Sequence, residues 1–148
     1  MPAETRKIDI LRALDQKVQW LSSWMIHNAN HIRPNLDGVK VGGHQASSAS
    51  SATILSALYF DVMRPQDRIA VKPHASPAFH AIQYLLGRQT RDKLENFRAY
   101  KGAQSDPSRT KDTADVDFST GSVGLGVAQT IFASLVQDYV QSHGLMKE

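Results

Sequence analysis

Apolar residues recur every three or four positions over much of the chain, which is the spacing of one face of an α-helix. The first such run extends from Ile8 to His31 and ends before Pro34. It predicts one long helix, or two helices with a bend, whose buried face holds Leu11, Leu14, Val18, Leu21 and Met25. The same spacing predicts further helices over 47–63, 77–86, 90–100 and 124–142.

The composition of these helices leads to expectations about their ends and their packing. The serines at 47–51 are expected to cap the second helix, and Gly87 is expected to end the third. The inward side chains of the second helix are predicted to be Ile54, Leu55, Leu58, Tyr59 and Val62, and those of the fourth Leu94 and Phe97. The last helix carries a wide apolar face and is expected to be deeply buried.

One segment, Arg68–Lys72, has the β-branched composition of a strand and is stopped by Pro73. A single strand leaves its backbone groups unpaired, and a strand followed by a helix usually leads to a parallel neighbour. The sequence supplies no such neighbour. The pattern therefore predicts a helix-rich α/β fragment with few strands, to which further chain must add the missing ones.

Composition limits the class of protein without naming it. The chain has 148 residues, of which 41% are hydrophobic and 21% charged, as in an ordinary globular domain. Its formal net charge is only +3 and the basic residues are scattered, so nucleic-acid binding is not predicted. The absence of cysteine excludes disulfides and thiolate catalysis. The first residues are too rich in charge for a secretory leader or a membrane span, and a cytoplasmic location is expected.

The histidines differ in their surroundings. His44 and His74 lie in loops at the start of predicted helices, where an imidazole can face a ligand and exchange protons. The pattern alone leaves a functional and a structural role equally open for both. His27 and His31 have the spacing of two metal ligands but no third ligand, so no metal site is predicted. His80, inside a helix, is expected to be a partly buried structural residue.

Two loops are further candidates for ligand binding. Gly121, Ser122 and Val123 begin a glycine-rich entry to the last helix, where a phosphate or a flat ring could approach the backbone. A tight turn explains the same glycines equally well. Arg109 and Lys111 lie in a turn-rich loop and could hold a carboxylate or a phosphate, although a solvated loop is the simpler interpretation.

Six short motifs in order resemble the N-terminal portion of the transketolase family of thiamine-diphosphate enzymes. Within that family the likeness is greatest to the homodimeric type of pyruvate dehydrogenase decarboxylating component. The motifs are Trp24–Asn30 leading to Arg33-Pro34, Gly42-Gly43-His44, Asp67–Ile69, His74–Pro77, Leu94–Arg98 and Ser119–Gly126. The resemblance covers about residues 20 to 140.

The resemblance implies a fold, a cofactor and residue roles. Residues 1–148 would form part of a doubly wound α/β domain that binds thiamine diphosphate, with 1–33 as a helical lead-in. His44 and His74 match the histidines that line the thiazolium side and assist substrate binding and proton transfer. Gly121, Ser122 and Val123 match the turn that meets the aminopyrimidine. A dimer partner and the remainder of the enzyme would complete the site.

Departures from the family pattern affect the expected substrate and activity. Pro73, which follows Lys72, stands where transketolases usually carry a glycine before the second histidine, and the loop with Arg109 and Lys111 replaces their Pro-Gly-His-Pro stretch. The replacement of that stretch favours a 2-oxo acid such as pyruvate as substrate over a sugar phosphate. The family's magnesium-binding and glutamate segments would follow residue 148, so the chain alone is expected to be inactive and to bind cofactor weakly or not at all. Transketolase-type ketol transfer, a truncated non-catalytic remnant and a small binding module remain alternatives.

Overall fold

The computed structural model describes residues 3–35, 37–112, 115–121 and 124–145. Within this part the chain is built from helices and turns, and no residue is in a β-strand. The helices are α1 (Ala3–His27), α2 (Gln45–Ala57), α3 (Ser76–Leu85), α4 (Arg91–Glu95) and α5 (Leu125–Ser142). Single π-helical turns extend α1 over Asn28–Ile32 and α2 over Leu58–Val62, and a 3₁₀ turn, Pro73–Ala75, precedes α3.

The core lies where α1, α2 and α3 pack against one another. Small residues on α2 and α3, such as Ala52 and Ala78, are fully buried and allow the helix backbones to approach closely. Larger side chains fill the space between them, and the most buried are Val18, Met25, Phe79, Ile82 and Phe97. The predicted α1 face is confirmed for Val18, Leu21 and Met25, and the helix ends in a π turn rather than a bend.

The second helix corrects two expectations. Its N-terminal cap is His44 and makes no side-chain capping bond; Ser50 and Ser51 instead donate to carbonyls one turn back, at Ser47 and Ser48. The hydroxyl group of a serine inside a helix commonly bonds the carbonyl group three or four residues earlier, rather than a free N–H group at the start of the helix. Ile54 and Val62 are exposed because they point away from α1 and α3, whereas Leu55 is buried as predicted.

The third and fourth helices follow the prediction in part. Gly87 has a φ of +73°, the left-handed conformation expected after the end of α3. Leu94 and Phe97 are buried as predicted. The helix over 90–100 is shorter than expected and ends at Glu95, because the chain then turns sharply and Arg98 takes a φ of +62°.

The predicted strand Arg68–Lys72 does not pair with another strand in the described part of the chain. Side chains from a later loop meet part of its backbone instead: the Ile69 N–H donates to Asp117 Oδ2 at 2.9 Å, and the Thr120 hydroxyl donates to the Val71 carbonyl. The backbone N–H and C=O groups of a strand pair with those of an adjacent strand. Among the described residues, loops rather than a strand lie beside this segment.

The expected deep burial of α5 is wrong for the described chain. Gly126 is its one buried residue, and Ile131, Phe132, Leu135 and Val136 are each more than half exposed. The helix carries apolar side chains, as predicted, but no described element covers them. Within the described residues, no helix is both long enough and apolar enough to cross a membrane.

Candidate functional site

His44 and His74 meet in a cleft of about 230 Å³. Their rings are edge to face, with centroids 4.4 Å apart and planes at 88°. His44 precedes α2 and His74 lies in the 3₁₀ turn before α3, so packing of those two helices brings the histidines together. The other lining residues are Gly43, Lys72, Pro73, Ser76, Pro77, Phe97, Arg98, Ser105, Asp106 and Gly121. Each of the three predicted helix-entry loops therefore contributes to the cleft.

Asn30 fixes the loop that carries His44. Its side-chain amide donates to the Gly42 carbonyl at 2.9 Å, and its Oδ1 accepts from the Gly42 N–H at 2.9 Å. Gly42 and Gly43 have φ values of +84° and +120°, which glycine adopts readily. A Cβ at Gly42 would also come within 2.8 Å of Arg98 Nη1. The loop conformation therefore depends on these two glycines and on one asparagine of the π turn.

Replacing Asn30 by alanine is expected to loosen this loop. The variant loses both bonds to Gly42 and a 2.7 Å bond to the Ile26 carbonyl, so the free energy of unfolding should fall by about 1–3 kcal/mol. Hydrogen exchange of the amides at 40–44 should become faster. Gln16→Ala, at an exposed position of α1, is the control and should change neither quantity. Unchanged exchange in Asn30→Ala would show that the loop holds its shape without the asparagine.

Two other residues of the π-turn region hold the second wall of the cleft. Asn28 Nδ2 donates to the Glu95 carbonyl at 2.8 Å, and Arg33 Nη1 donates to the Phe97 carbonyl at 2.9 Å. These bonds satisfy carbonyls at the C-terminal end of α4, which the helix itself leaves free. They also fix the direction of the chain into Arg98, whose N–H donates to the Ala103 carbonyl at 2.8 Å.

Ser105, Asp106 and Gly121 close the cleft on its third side. A Cβ at Gly121 would lie 3.9–4.0 Å from the Asp106 carboxyl group, and the Thr120 N–H donates to the Pro107 carbonyl at 3.0 Å. Gly121 therefore lies beside the cleft, and its role in cofactor binding stays a prediction. Ser122 and Val123, which the resemblance assigns to the same turn, lie outside the described residues.

Arg109 and Lys111 do not line the cleft of the two histidines. Both side chains are exposed, and Arg109 lines a different depression of about 400 Å³ together with Arg68, Asp115 and Asp117. Their role in substrate binding stays a prediction. Lys72, Ser76, Arg98 and Asp106, in contrast, line the cleft and were not predicted as site residues. Ser76 and Arg98 lie in motif segments and Lys72 lies two residues before one, which was the available indication; Asp106 lies in none of the motifs.

The remaining predicted histidines are accounted for. His27 and His31 are exposed, with ring centroids 5.0 Å apart. His80 is fully buried: its Nε2 lies 2.7 Å from the Gln104 carbonyl and its Nδ1 lies 3.2 Å from Gln89 Nε2. These partners are satisfied by a neutral ring that donates from Nε2 and accepts at Nδ1. His80 therefore has a structural role, as predicted, and is more completely buried than expected.

His80 should make stability depend on pH. Burial lowers the pKa of His80, although the Gln104 carbonyl and the charge of Asp112 act in the opposite direction. As the pH falls below about 6.5, the unfolded chain binds a proton that the folded chain does not, so the free energy of unfolding should drop by up to about 1.4 kcal/mol per pH unit. Urea denaturation between pH 5 and 8 measures this. This pH-dependent drop in the free energy of unfolding should be smaller in His80→Gln and as large as in the wild type in His27→Ala. An equal pH dependence in the wild type and both variants would show that His80 is not its source.

The described residues fit the thiamine diphosphate and magnesium of the transketolase family only in part. No three or more His, Cys, Asp or Glu side chains of these residues are grouped to hold a metal ion, so they do not fit a magnesium site. The cleft is smaller than the roughly 300–1,000 Å³ typical of enclosed ligand sites. It can therefore form one wall of a site for a molecule as large as thiamine diphosphate but cannot enclose it.

Comparisons with known proteins agree with the motif resemblance. The chain is 32% identical to the pyruvate dehydrogenase E1 component of Cupriavidus necator over an alignment of 148 positions, which covers 94% of this chain and 16% of that protein. The protein of the same description from Mycolicibacterium smegmatis is 31% identical, over 93% of this chain and 15% of that protein. The one from Escherichia coli K12 is 27% identical, over 97% of this chain and 17% of that protein. No family profile matches the chain. The chain spans about one sixth of the length of these curated relatives, and the predicted resemblance is confirmed.

Proposed function

Because this chain is homologous to one portion of the pyruvate dehydrogenase E1 components, we propose that it is the N-terminal part of a thiamine-diphosphate-dependent enzyme that decarboxylates a 2-oxo acid such as pyruvate. The observation that supports this most directly is the meeting of His44, His74 and Gly121 at one cleft. The family resemblance assigns the same three residues to one cofactor site, on grounds that do not depend on their positions in the fold.

The two histidines are suited to handle protons beside a substrate. Their rings are 4.4 Å apart, so a single small molecule in the cleft can contact both. Imidazole side chains can donate and accept protons near neutral pH, which is the usual requirement for general acid–base catalysis. When bound, thiamine diphosphate supplies the electron sink for decarboxylation. The residues of this chain would orient the 2-oxo acid and hold or move a proton at the imidazole nitrogens.

The remainder of the proposed enzyme would supply what the described residues lack. We place residues 1–148 in a doubly wound thiamine-diphosphate domain, with 1–33 as the lead-in, in a cytoplasmic dimer. Magnesium ligands and the strands beside 68–72 would come from the remainder. The exposed apolar face of α5 supports this view, because such a face is normally covered in a complete protein.

A second candidate is a non-catalytic remnant or a small binding module. The absence of a metal-binding group in the described residues and the unpaired segment 68–72 favour it. It predicts that no other polypeptide restores cofactor binding. Ketol transfer of the transketolase type is the alternative within the enzyme class, and turnover of a sugar phosphate by the assembled protein would support it.

Calorimetric titration of thiamine diphosphate with magnesium tests the proposal. The purified chain should bind weakly or not at all by itself and should bind when the polypeptide encoded next to it is added. His74→Ala should weaken the binding seen with the added polypeptide, and His27→Ala, an exposed histidine outside the cleft, should not. Binding in neither case would contradict the enzyme assignment and favour the remnant.

A further inference from the structure

Ser76, which lines the cleft, has a buried hydroxyl group without a hydrogen-bond partner among the described residues. Ser76 is the first residue of α3, is fully buried and lines the same cleft as His44 and His74. Within the described residues, its Oγ makes no hydrogen bond. Most buried side-chain polar atoms in proteins have a partner, so an unpaired hydroxyl group needs an explanation. A ligand group that enters the cleft would provide the partner.

The charges at the cleft indicate what kind of group this is. Lys72 and Arg98 both line it, and neither takes part in any ion pair found among the described residues. Asp106 is the one carboxylate among the lining residues. Two basic side chains against one carboxylate give the cleft a net positive charge, which favours an anion.

The backbone at Arg98 has a fixed and unusual conformation. Its N–H donates to the Ala103 carbonyl at 2.8 Å, and its φ of +62° is uncommon for a residue other than glycine. Its Nη1 lies 2.8 Å from where a Cβ on Gly42 would be, so the guanidinium group lies against the loop that carries His44. Backbone of this kind is found more often at functional sites than elsewhere.

We propose that Ser76, Lys72 and Arg98 form a subsite for an anionic oxygen group, a carboxylate or a phosphate, beside the two histidines. A guanidinium group can bind two oxygens of such a group, an ammonium group adds a point charge, and the serine hydroxyl group donates one hydrogen bond. The expectation that the group is the carboxylate of a 2-oxo acid rests on the proposed function. The subsite itself rests on the geometry of this chain.

Titration of the ¹⁵N-labelled full chain followed by NMR tests the subsite. Pyruvate should shift amide signals of residues around 43–44, 72–78 and 98, and methyl pyruvate, which has no charge, should bind at least tenfold more weakly. Inorganic phosphate is the second arm. Tighter binding of phosphate than of pyruvate would support the subsite and assign it to a phosphorylated substrate. Binding of methyl pyruvate as tight as that of pyruvate would overturn it.

Three variants separate the contributions. Ser76→Ala should weaken anion binding about tenfold, which is the loss expected for one hydrogen bond to a charged group. Lys72→Gln and Arg98→Asn should weaken it by a similar factor, and asparagine tolerates the positive φ at position 98. Arg6→Gln, which removes a charge on α1 outside the cleft, is the matched control and should leave affinity unchanged.

A stability measurement distinguishes a binding role of Ser76 from a structural one. Since the hydroxyl group has no partner in the free chain, Ser76→Ala should keep or raise the melting temperature while it weakens anion binding. Unchanged anion affinity in this variant would contradict the proposal even if Arg98→Asn fails to fold. The result is independent of the cofactor titration, so a failed subsite and a failed enzyme assignment can be told apart.

Discussion

Under the proposed function, replacing His74 by alanine is expected to slow decarboxylation of the 2-oxo acid by the assembled enzyme about 10²–10⁴-fold, the usual range for loss of a general acid or base. The His74 ring lies 4.4 Å from His44 and lines the same cleft. His44→Ala should have an effect of similar size. Steady-state kinetics of the chain together with the remainder of the enzyme would measure both.

Coupling between the two histidines provides a sharper test. Because the rings are in contact, the double variant should lose less activity than the product of the two single losses. His27→Ala is the control, since that ring is exposed and lies outside the cleft, and it should change the turnover rate by less than twofold. A normal turnover rate in His74→Ala would remove the histidine from the catalytic machinery.

Replacing Gly102 by alanine is expected to reduce the free energy of unfolding of the chain by about 3 kcal/mol or to prevent folding, a large value for overpacking at one position. A Cβ at this buried position would lie only 1.6 Å from the Asn96 carbonyl oxygen and 2.5 Å from its carbon. Both atoms belong to the main chain, so neither can move aside by rotating a side chain. The turn that carries Phe97 and Arg98 into the cleft would have to shift.

Gly87→Ala is the matched control for this variant. Gly87 has a φ of +73°, but nothing lies within 4 Å of the added Cβ. Alanine there should cost only about 1–2 kcal/mol, the penalty of a left-handed backbone with a side chain. Urea denaturation followed by circular dichroism measures both variants, and equal losses would show that the contact with Asn96 relaxes without cost.

The exposed face of α5 is the part of this chain that we expect other protein to cover. Apart from Asp138, the helix has no charged side chain, and Phe132, Leu135 and Val136 are each about three fifths exposed. A helix of this composition is normally surrounded by protein. The homologous proteins are about six times longer than this chain, so under the proposed function the covering surface can be sought in the remainder of the enzyme.

Local sequence determined much of the secondary structure. The spacing of apolar residues predicted α1, α3 and α5, because that spacing depends on the helix repeat and on nothing remote. Gly87 predicted the end of α3 through its tolerance of positive φ. The glycine and histidine loops also identified His44, His74 and Gly121 as candidates, although the choice between a functional and a structural role required the family resemblance.

Only the tertiary structure decided which candidates share a site and which faces are covered. His44 and His74 meet because α2 and α3 pack side by side, and Arg98 joins them because Asn28 and Arg33 hold the end of α4. The strand at 68–72 and the burial of α5 were predicted wrongly for the same reason: both need a neighbour. The local pattern predicts which backbone groups should be paired and which side chains should be buried. It does not encode the strand partner or the covering surface, because both come from distant parts of a chain.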